Sequence, residues 1–328
     1  MRILVITDHA GHSAENAIYS MLLAMLANPK CDKVEVATRS ISENMRFFRG
    51  DDSAPLYTAP VTKDFAYHPN GRSFRQDLRQ SERMDFDGIW LRLPPPLSED
   101  QLSLIAAKFP FQQIQNDPAG IIETGNKKFL LNFPDITPRM SICDSMASIE
   151  AMLAVGPLVL KPFAEYGGRG LIRIDTDRRV WAGRAEKDWA WLESKFPDKG
   201  TAYLGVEFLR NVDQGDKRIV VVNGEIMGAA LRLPAKDSWL CNVAAGGTSN
   251  PARVDEDENR IVATVDPVLK EHGIIMYGVD TLVGNAGRRV LSELNTTSIG
   301  GLPQIGRMNN EPVVERAVDL ILDAFSAR

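Results

Sequence analysis

The segment PLVLKPFAEYGGRG, Pro157 to Gly170, constrains the fold more than any other stretch of this chain. An apolar β-type run, Leu158 to Leu160, ends in a single charged residue, Lys161, and glycines follow at once. A phosphate loop on a helix N-terminus has the reverse order, glycines first and then Gly-Lys-Ser/Thr. That order occurs nowhere in the sequence. Two readings of Lys161 stand side by side. It is a strand-end lysine with a buried stem and a solvated head, or it is a cation for nucleotide phosphates. In the second reading Glu165 to Gly170 is a lid whose backbone N–H groups approach phosphate oxygens closely.

The chain has 328 residues, enough for two or three domains with real cores. A net charge of −5 advertises no nucleic acid or anionic membrane as partner. Cys31, Cys143 and Cys241 are far apart and form no Cys-x-x-Cys pair, which fits a reducing cytoplasm better than a disulfide or zinc framework. The N-terminus reads as a strand, Ile3 to Thr7, and not as a secretion signal. A helix capped by Ser13 and a second strand, Lys33 to Ala37, complete a strand–helix–strand opening typical of open α/β sheets. Arg39 to Met84 is polar and weakly patterned, and reads as a long excursion. Phe86 to Arg92 is a further strand, Ser98 to Lys108 a helix, and Asn116-Asp117-Pro118 a domain boundary.

Beyond that break the pattern is richer in strands. Tyr203–Phe208, Lys217–Val222 and Ile226–Leu233 are candidates, the last two joined by the hairpin signal Asn223-Gly224. A loop is expected from Pro234 to Arg253, a helix from Asp255 to Glu271, a hairpin around GNAG, and a closing helix from Glu311 to Phe325. Glu293 and Asn295 are two apart on a strand and so share a face. Asp280 sits in an otherwise apolar strand, where an unpaired carboxylate is expensive. Two carboxylates and an amide oxygen suit Mg²⁺, and the alternative is a solvated strand face. Arg218 and Arg232 sit on the strands flanking the hairpin; each alone reads as an ordinary exposed-face arginine, and together with the lysine and the metal ligands they read as a clamp for a transferring phosphoryl group.

The ordered set of LVLKPFAEYGGRG, NVDQGDKRIVVVNGE, LRLP…NVAAGGTSNPAR and GVDTL…LSELNTTS resembles the ATP-grasp ligases, and more narrowly the bacterial glutathione synthetases. NKKFLLNFPDITP and WLRLPPPLSEDQ extend the likeness over most of the chain, which is weakest from Arg39 to Met84. The resemblance implies an α/β, ATP-grasp fold with an N-terminal open α/β domain (residues 1–118) that binds substrate. The ATP-grasp part (119–328) would comprise a small central lid domain (130–205) and a C-terminal antiparallel-sheet domain (206–328). It implies ATP and two Mg²⁺, or Mn²⁺ in their place, as cofactors. Lys128 and Lys161 would contact phosphates, with Asp216 also on the nucleotide side. Glu165, Tyr166, Gly167, Gly168 and Gly170 would close as the lid. Glu207, Phe208 and Leu209 would form the adenine hinge. Asp280, Glu293 and Asn295 would hold the metals. Arg218 would meet phosphate, and Arg232, Asn242, Gly246 and Gly247 would face the acyl substrate or intermediate. The implied reaction is an ATP-dependent carboxylate–amine ligation through an acyl phosphate, making glutathione from γ-glutamylcysteine and glycine. A small-molecule amino acid or peptide substrate, a homo-oligomer and a cytoplasmic site are implied with it, and no nucleic-acid or membrane partner.

Three segments depart from the family. Arg92-Leu93-Pro94-Pro95-Pro96 stands where the family has Arg-Lys-Asp-Pro-Pro. Ser238-Trp239-Leu240-Cys241-Asn242 stands for Glu-Thr-Arg-Gly-Asn, and Ser298-Ile299-Gly300 for Ser-Pro-Thr. A more apolar acceptor pocket, and a different amide as product, is the rival reading that these suggest. A nucleotide-binding module without turnover is a more remote one. A dinucleotide oxidoreductase would need Gly-x-Gly-x-x-Gly after the first strand, which is missing. His9 and His12, in the loop after that strand, are either a substrate contact or a solvent-exposed pair.

Overall fold

The computed structural model describes residues 1–163, 169–196, 201–234 and 248–326. Its strands form three sheets that follow one another in the chain. The first holds β1 (Arg2–Thr7), β2 (Lys33–Thr38), β3 (Leu56–Pro60), β4 (Arg79–Ser81), β5 (Gly88–Arg92) and β6 (Gln113–Gln115), in spatial order β4-β3-β2-β1-β5-β6. β1 pairs in parallel with β2 on one side and β5 on the other. Its residues Ile3 to Ile6 are wholly buried, as the unbroken apolar run requires of a central parallel strand.

Ser13 does not cap the following helix. The Asn16 side chain accepts from the Ile18 N–H (3.0 Å), and the helix runs Ile18–Ala27. The excursion from Arg39 to Met84 carries β3, antiparallel to β2, and β4, antiparallel to β3, which extend the sheet. They are pinned by Glu35, a fully buried carboxylate on β2 that accepts from Thr58 (2.6 Å) and Ser81 (3.1 Å) and pairs with Lys33 and Arg79. A polar hub leaves no hydrophobic period to read.

The second sheet holds β7 (Met140–Cys143), β8 (Leu158–Pro162), β9 (Ile172–Ile174), β10 (Val180–Ala182), β11 (Ala185–Lys187) and β12 (Tyr203–Glu207), in order β11-β10-β9-β8-β12-β7. Leu158, Leu160, Ile172 and Val180 fill a core with Ile149 and Leu192 from the helices Met146–Leu153 and Trp189–Glu193. Alternation along β8 sends Lys161 to the opposite face.

The third sheet holds β13 (Asp216–Val222), β14 (Glu225–Leu233), β15 (Thr248–Ala252), β16 (Met276–Val283) and β17 (Arg289–Asn295), antiparallel throughout, in order β15-β14-β13-β16-β17. Asn223 and Gly224 turn the hairpin with φ of +48° and +84°, the pair of positive values that Asn-Gly tolerates best. The expected loop from Pro234 to Arg253 is corrected at its end, where β15 pairs with β14. Pro251 is tolerated there because β15 is an edge strand. Behind the sheet lies the helix Glu256–Glu271. Its buried Glu258 meets Lys217 and Thr281, each at 2.7 Å. The last helix, Val313–Ser326, returns to the first sheet, laying Phe325 over Gly88. Among the described residues no helix is long and apolar enough to cross a membrane.

Candidate active site

The register of the third sheet lines the expected residues up across neighbouring strands. Arg218 of β13 stands opposite Asp280 of β16, and Asp280 stands opposite Glu293 of β17. One step along, Asp216 of β13 faces Arg232 of β14. Residues two apart share a face, so Asp216, Arg218, Arg232, Asp280, Glu293 and Asn295 all project to one side. Lys217 and Thr281 project to the other, against Glu258.

Asp280 is the hub of that row. Arg218 grips it with Nε and Nη2, the latter 2.6 Å from Oδ2. Arg232 donates to Asp216 (Nε, 2.9 Å) and reaches Asp280 at 3.0 Å. Asn295 Nδ2 donates to Asp280 Oδ2 at 3.2 Å. Burial alone would push the Asp280 carboxyl up, but Arg218 and Arg232 outweigh it and hold it down at about 2. Burial pushes Asp216 the other way, up to about 6, with Arg232 pulling back and Asp280 adding to the rise. Backbone approach is tight around the pair. Gly215 has φ +79°, and a Cβ there would lie 2.6 Å from the Arg232 carbonyl oxygen.

β17 is bulged. Asp280 pairs with Glu293 and Thr281 with Leu291, so Ser292 is the extra residue. Ser292 presents its carbonyl oxygen and its Oγ to Lys161 Nζ, both at 3.4 Å. Burial lowers the Lys161 pKa, and the nearby Lys127 adds to the lowering against Glu293 and Asp280. The segment NKKF places its two lysines differently. Lys128 is exposed, with Nζ 4.5 Å from the centre of the Phe163 ring. Lys127 is buried, with Nζ 3.7 Å from Glu293 Oε1.

At the expected hinge, Glu207 and the Phe208 carbonyl both accept from Asn285 Nδ2, at 2.6 and 3.2 Å, and Leu209 is buried. The Arg173 guanidinium lies 4.2 Å from the Phe208 ring centre. Gly170 has φ +69° and lies so near Pro162 that an added Cβ would be 2.8 Å from its Cγ. Glu165, Tyr166, Gly167, Gly168, Asn242, Gly246 and Gly247 lie outside the described residues. Lys127, Ser292 and Asn285 are the site neighbours that sequence reading missed. Only the Asn of GNAG carried a turn signal.

His9 and His12 are not a solvated pair. His9 stacks on Phe74 (4.8 Å between centroids) and its Nδ1 lies 2.8 Å from Thr38 Oγ1. His12 Nδ1 lies 3.2 Å from the Tyr19 hydroxyl, and burial lowers its pKa to about 4.

The donor set fits Mg²⁺. Asp280, Glu293 and Asn295 offer hard oxygens from adjacent strands, and Mg²⁺ takes few protein ligands and completes its shell with phosphate and water. Among the described residues no group of three His, Cys, Asp or Glu could hold a metal ion by itself.

A family model described as the prokaryotic glutathione synthetase ATP-grasp domain matches residues 126–310. The chain is 31% identical over 242 residues to the glutathione synthetase of Bradyrhizobium diazoefficiens, covering 72% of this chain and 73% of that one. It is 29% identical over 277 residues to that of Parasynechococcus marenigrum, covering 83% and 84%. The crystal structure of the D-cycloserine synthetase DcsG superposes with a TM-score of 0.66 at 13% identity, over 98% of this chain and 99% of that one, a likeness of fold.

Proposed function

The chain belongs to the prokaryotic glutathione synthetase family of ATP-grasp proteins, and from that premise we propose that it joins γ-glutamylcysteine to glycine using ATP. It is an ATP-dependent, amide-bond-forming ligase of the glutathione synthetase type. The observation that carries the reading is the row Arg232–Asp216 and Arg218–Asp280–Glu293, which faces Lys161 across the gap between the second and third sheets.

In this reading residues 1–118 bind substrate, 130–205 carry the lid, and 206–328 carry the chemistry. Asp280, Glu293 and Asn295 would hold two Mg²⁺, or Mn²⁺ in their place, which neutralise the phosphate oxygens. Lys161, fixed by the Ser292 bulge, lies against the phosphates, and Glu207 to Leu209 hold the adenine end. A carboxylate oxygen of the acyl substrate attacks the γ-phosphorus, the bond to ADP breaks, and an acyl phosphate forms. The glycine nitrogen attacks the acyl carbon. Arg232, with backbone N–H groups, stabilises the tetrahedral oxyanion. The C–O bond to phosphate breaks, the amine proton leaves, and glutathione, ADP and phosphate are the products. Arg218 holds Asp280 in place while it meets phosphate. The protein would act as a cytoplasmic dimer or tetramer, as the family tends to.

The test is phosphate release from ATP and Mg²⁺ with γ-glutamylcysteine and glycine, with the product identified by mass spectrometry. Glutathione at fast turnover upholds the reading. The loop Ser238-Trp239-Leu240-Cys241 favours a second one, an amide from another amino acid or dipeptide pair, which a substrate panel in the same assay detects.

A further inference from the structure

Asn285 is exposed at the tip of the turn between β16 and β17, yet its amide is engaged with a different part of the chain. Nδ2 donates to Glu207 Oε1 at 2.6 Å and to the Phe208 carbonyl at 3.2 Å, and Oδ1 accepts from the Arg210 N–H at 2.9 Å. Asn211 Nδ2 adds a bond to the Gly284 carbonyl at 2.9 Å. The turn does not require asparagine for its own shape. Its left-handed position is Gly287, with φ +81°, and Asn285 is not one of the residues with positive φ. The bonds that close it, Gly284 N–H to the Arg288 carbonyl and Gly287 N–H to the Gly284 carbonyl, are backbone to backbone. A turn asparagine ordinarily bonds its own backbone two residues on, and this one reaches across to another segment.

What these contacts hold is the link between two sheets. β12 ends at Glu207 and β13 begins at Asp216, so residues 208–215 join the second sheet to the third. Within that link the Phe208 carbonyl is turned to Asn285, and the Phe208 N–H to the Pro157 carbonyl at 2.9 Å. The N–H of the next residue, the buried Leu209, has no partner among the described residues. Adenine presents ring-nitrogen acceptors beside its amino group, and a backbone donor fixed at this point suits one of them.

We infer that Asn285 is a positioning residue for the nucleotide base. It fixes the course of residues 207–210 so that the Leu209 N–H meets the adenine ring, and it touches no substrate itself. The inference rests on the ligase reading above, which puts adenine at Glu207 to Leu209. The hairpin that carries Asp280 and Glu293 in its strands then also sets the base end of the nucleotide through its turn. A residue in this role affects discrimination between bases and leaves the phosphate end alone. A residue that merely supports the fold does not separate the two.

The experiment is calorimetric titration of the full chain with Mg²⁺–ATP and with Mg²⁺–ITP, for wild type, Asn285→Ala and Asn285→Asp. Inosine carries a hydrogen on N1 and an oxygen in place of the amino group, so ITP does not use the hinge and reports the phosphate end. Wild type should favour ATP. The expected result is that both variants bind Mg²⁺–ATP about tenfold more weakly, the loss of one well-placed hydrogen bond, and Mg²⁺–ITP within about twofold of wild type. Unchanged ATP binding in both variants would overturn the inference. So would equal weakening of ATP and ITP, which would make Asn285 a support of the fold at large. A wild type that binds ATP and ITP alike would overturn the inference through the hinge assignment and leave nucleotide binding standing. A wild type that binds neither would overturn the ligase reading and the inference with it.

Discussion

Arg218 and Asp280 meet head-on across β13 and β16, with Nη2 2.6 Å from Oδ2, and Arg232 reaches the same carboxylate at 3.0 Å. One acid therefore organises two arginines before any substrate arrives. Asp280→Asn preserves the shape but leaves those guanidiniums with Asp216 alone. Removing one partner of a buried ion pair typically costs about 3–5 kcal/mol. We expect a loss of about 3 kcal/mol in urea unfolding, and phosphate release lowered by about a hundredfold or more, the order seen when an electrostatic partner is removed from an active site. Full stability with lost turnover would mean that the arginines do not depend on Asp280 for their place.

Gly215 sets the position of Arg232 through the backbone. Its φ is +79°, and a Cβ would lie 2.6 Å from the Arg232 carbonyl oxygen and 2.9 Å from Leu233 Cδ2. Gly215→Ala must pay a left-handed penalty of about 1–2 kcal/mol and push β14 away. On the oxyanion role proposed for Arg232, steady-state kinetics should show kcat reduced about tenfold, with the KM for ATP within twofold. A rise in the KM for ATP equal to the fall in kcat would place Arg232 on the nucleotide.

That Asp280, Glu293 and Asn295 share a face was legible because it needs only strand periodicity. Glu293 and Asn295 are two apart, and Asp280 is a lone acid in an apolar strand. Its arginine partners were legible as residues but not as partners, because which strand lies beside which, and in what register, is decided by the sheet. The Ser292 bulge has the same cause: an extra residue in β17 has no local signature, and only the pairing with β16 reveals it. Lys127 and Lys128 are adjacent and identical in type, so sequence could not say which turns inward. The short helix Lys127–Asn132 decides that by docking against the third sheet. β3 and β4 were hidden because the hub that holds them, Glu35 with Thr58 and Ser81, is polar.

His12 gives the fold a pH limit. Burial lowers its pKa from 6.5 to about 4, with His9 and Arg92 adding to the effect and Asp8 opposing it. The unfolded chain takes up that proton at the ordinary pKa, and the folded chain resists it. Stability from a neutral His12 is therefore complete above pH 6.5 and is lost as pH falls toward 4. The ring keeps some contact with water, so we expect about 1–2 kcal/mol over that window, below what the full shift would give. Urea unfolding at a series of pH values should show wild type losing stability faster than His12→Gln. Parallel slopes would show that His12 titrates normally.

Asn116 joins the end of the first sheet to β16 and to the residue after β17, and it uses its whole hydrogen-bonding capacity to do so. Nδ2 donates to the Met276 and Thr296 carbonyls at 2.6 and 2.8 Å. Oδ1 accepts from the Ile275 and Met276 N–H groups at 2.8 and 2.9 Å. An amide has two donors and an acceptor oxygen with two lone pairs, so no other side chain of this size can replace it. Thr296 directly follows Asn295, and Met276 opens β16, so the contact fixes both strands where they carry Asp280 and Asn295. Asn116→Ala leaves buried backbone groups unpaired at about 1–3 kcal/mol each. We expect a total loss of about 3 kcal/mol or more in chemical denaturation. In Asn116→Asp the acceptor survives, but an oxygen replaces the donor against two carbonyls, so the loss should be at least as large. Both variants should also bind Mg²⁺–ATP more weakly in calorimetry, because the Asn295 end of β17 loses its anchor. If Asn116→Ala unfolds like wild type, the strands are held by packing alone. If it is destabilised but binds Mg²⁺–ATP normally, Asn116 supports the fold and has no part in placing the metal ligands.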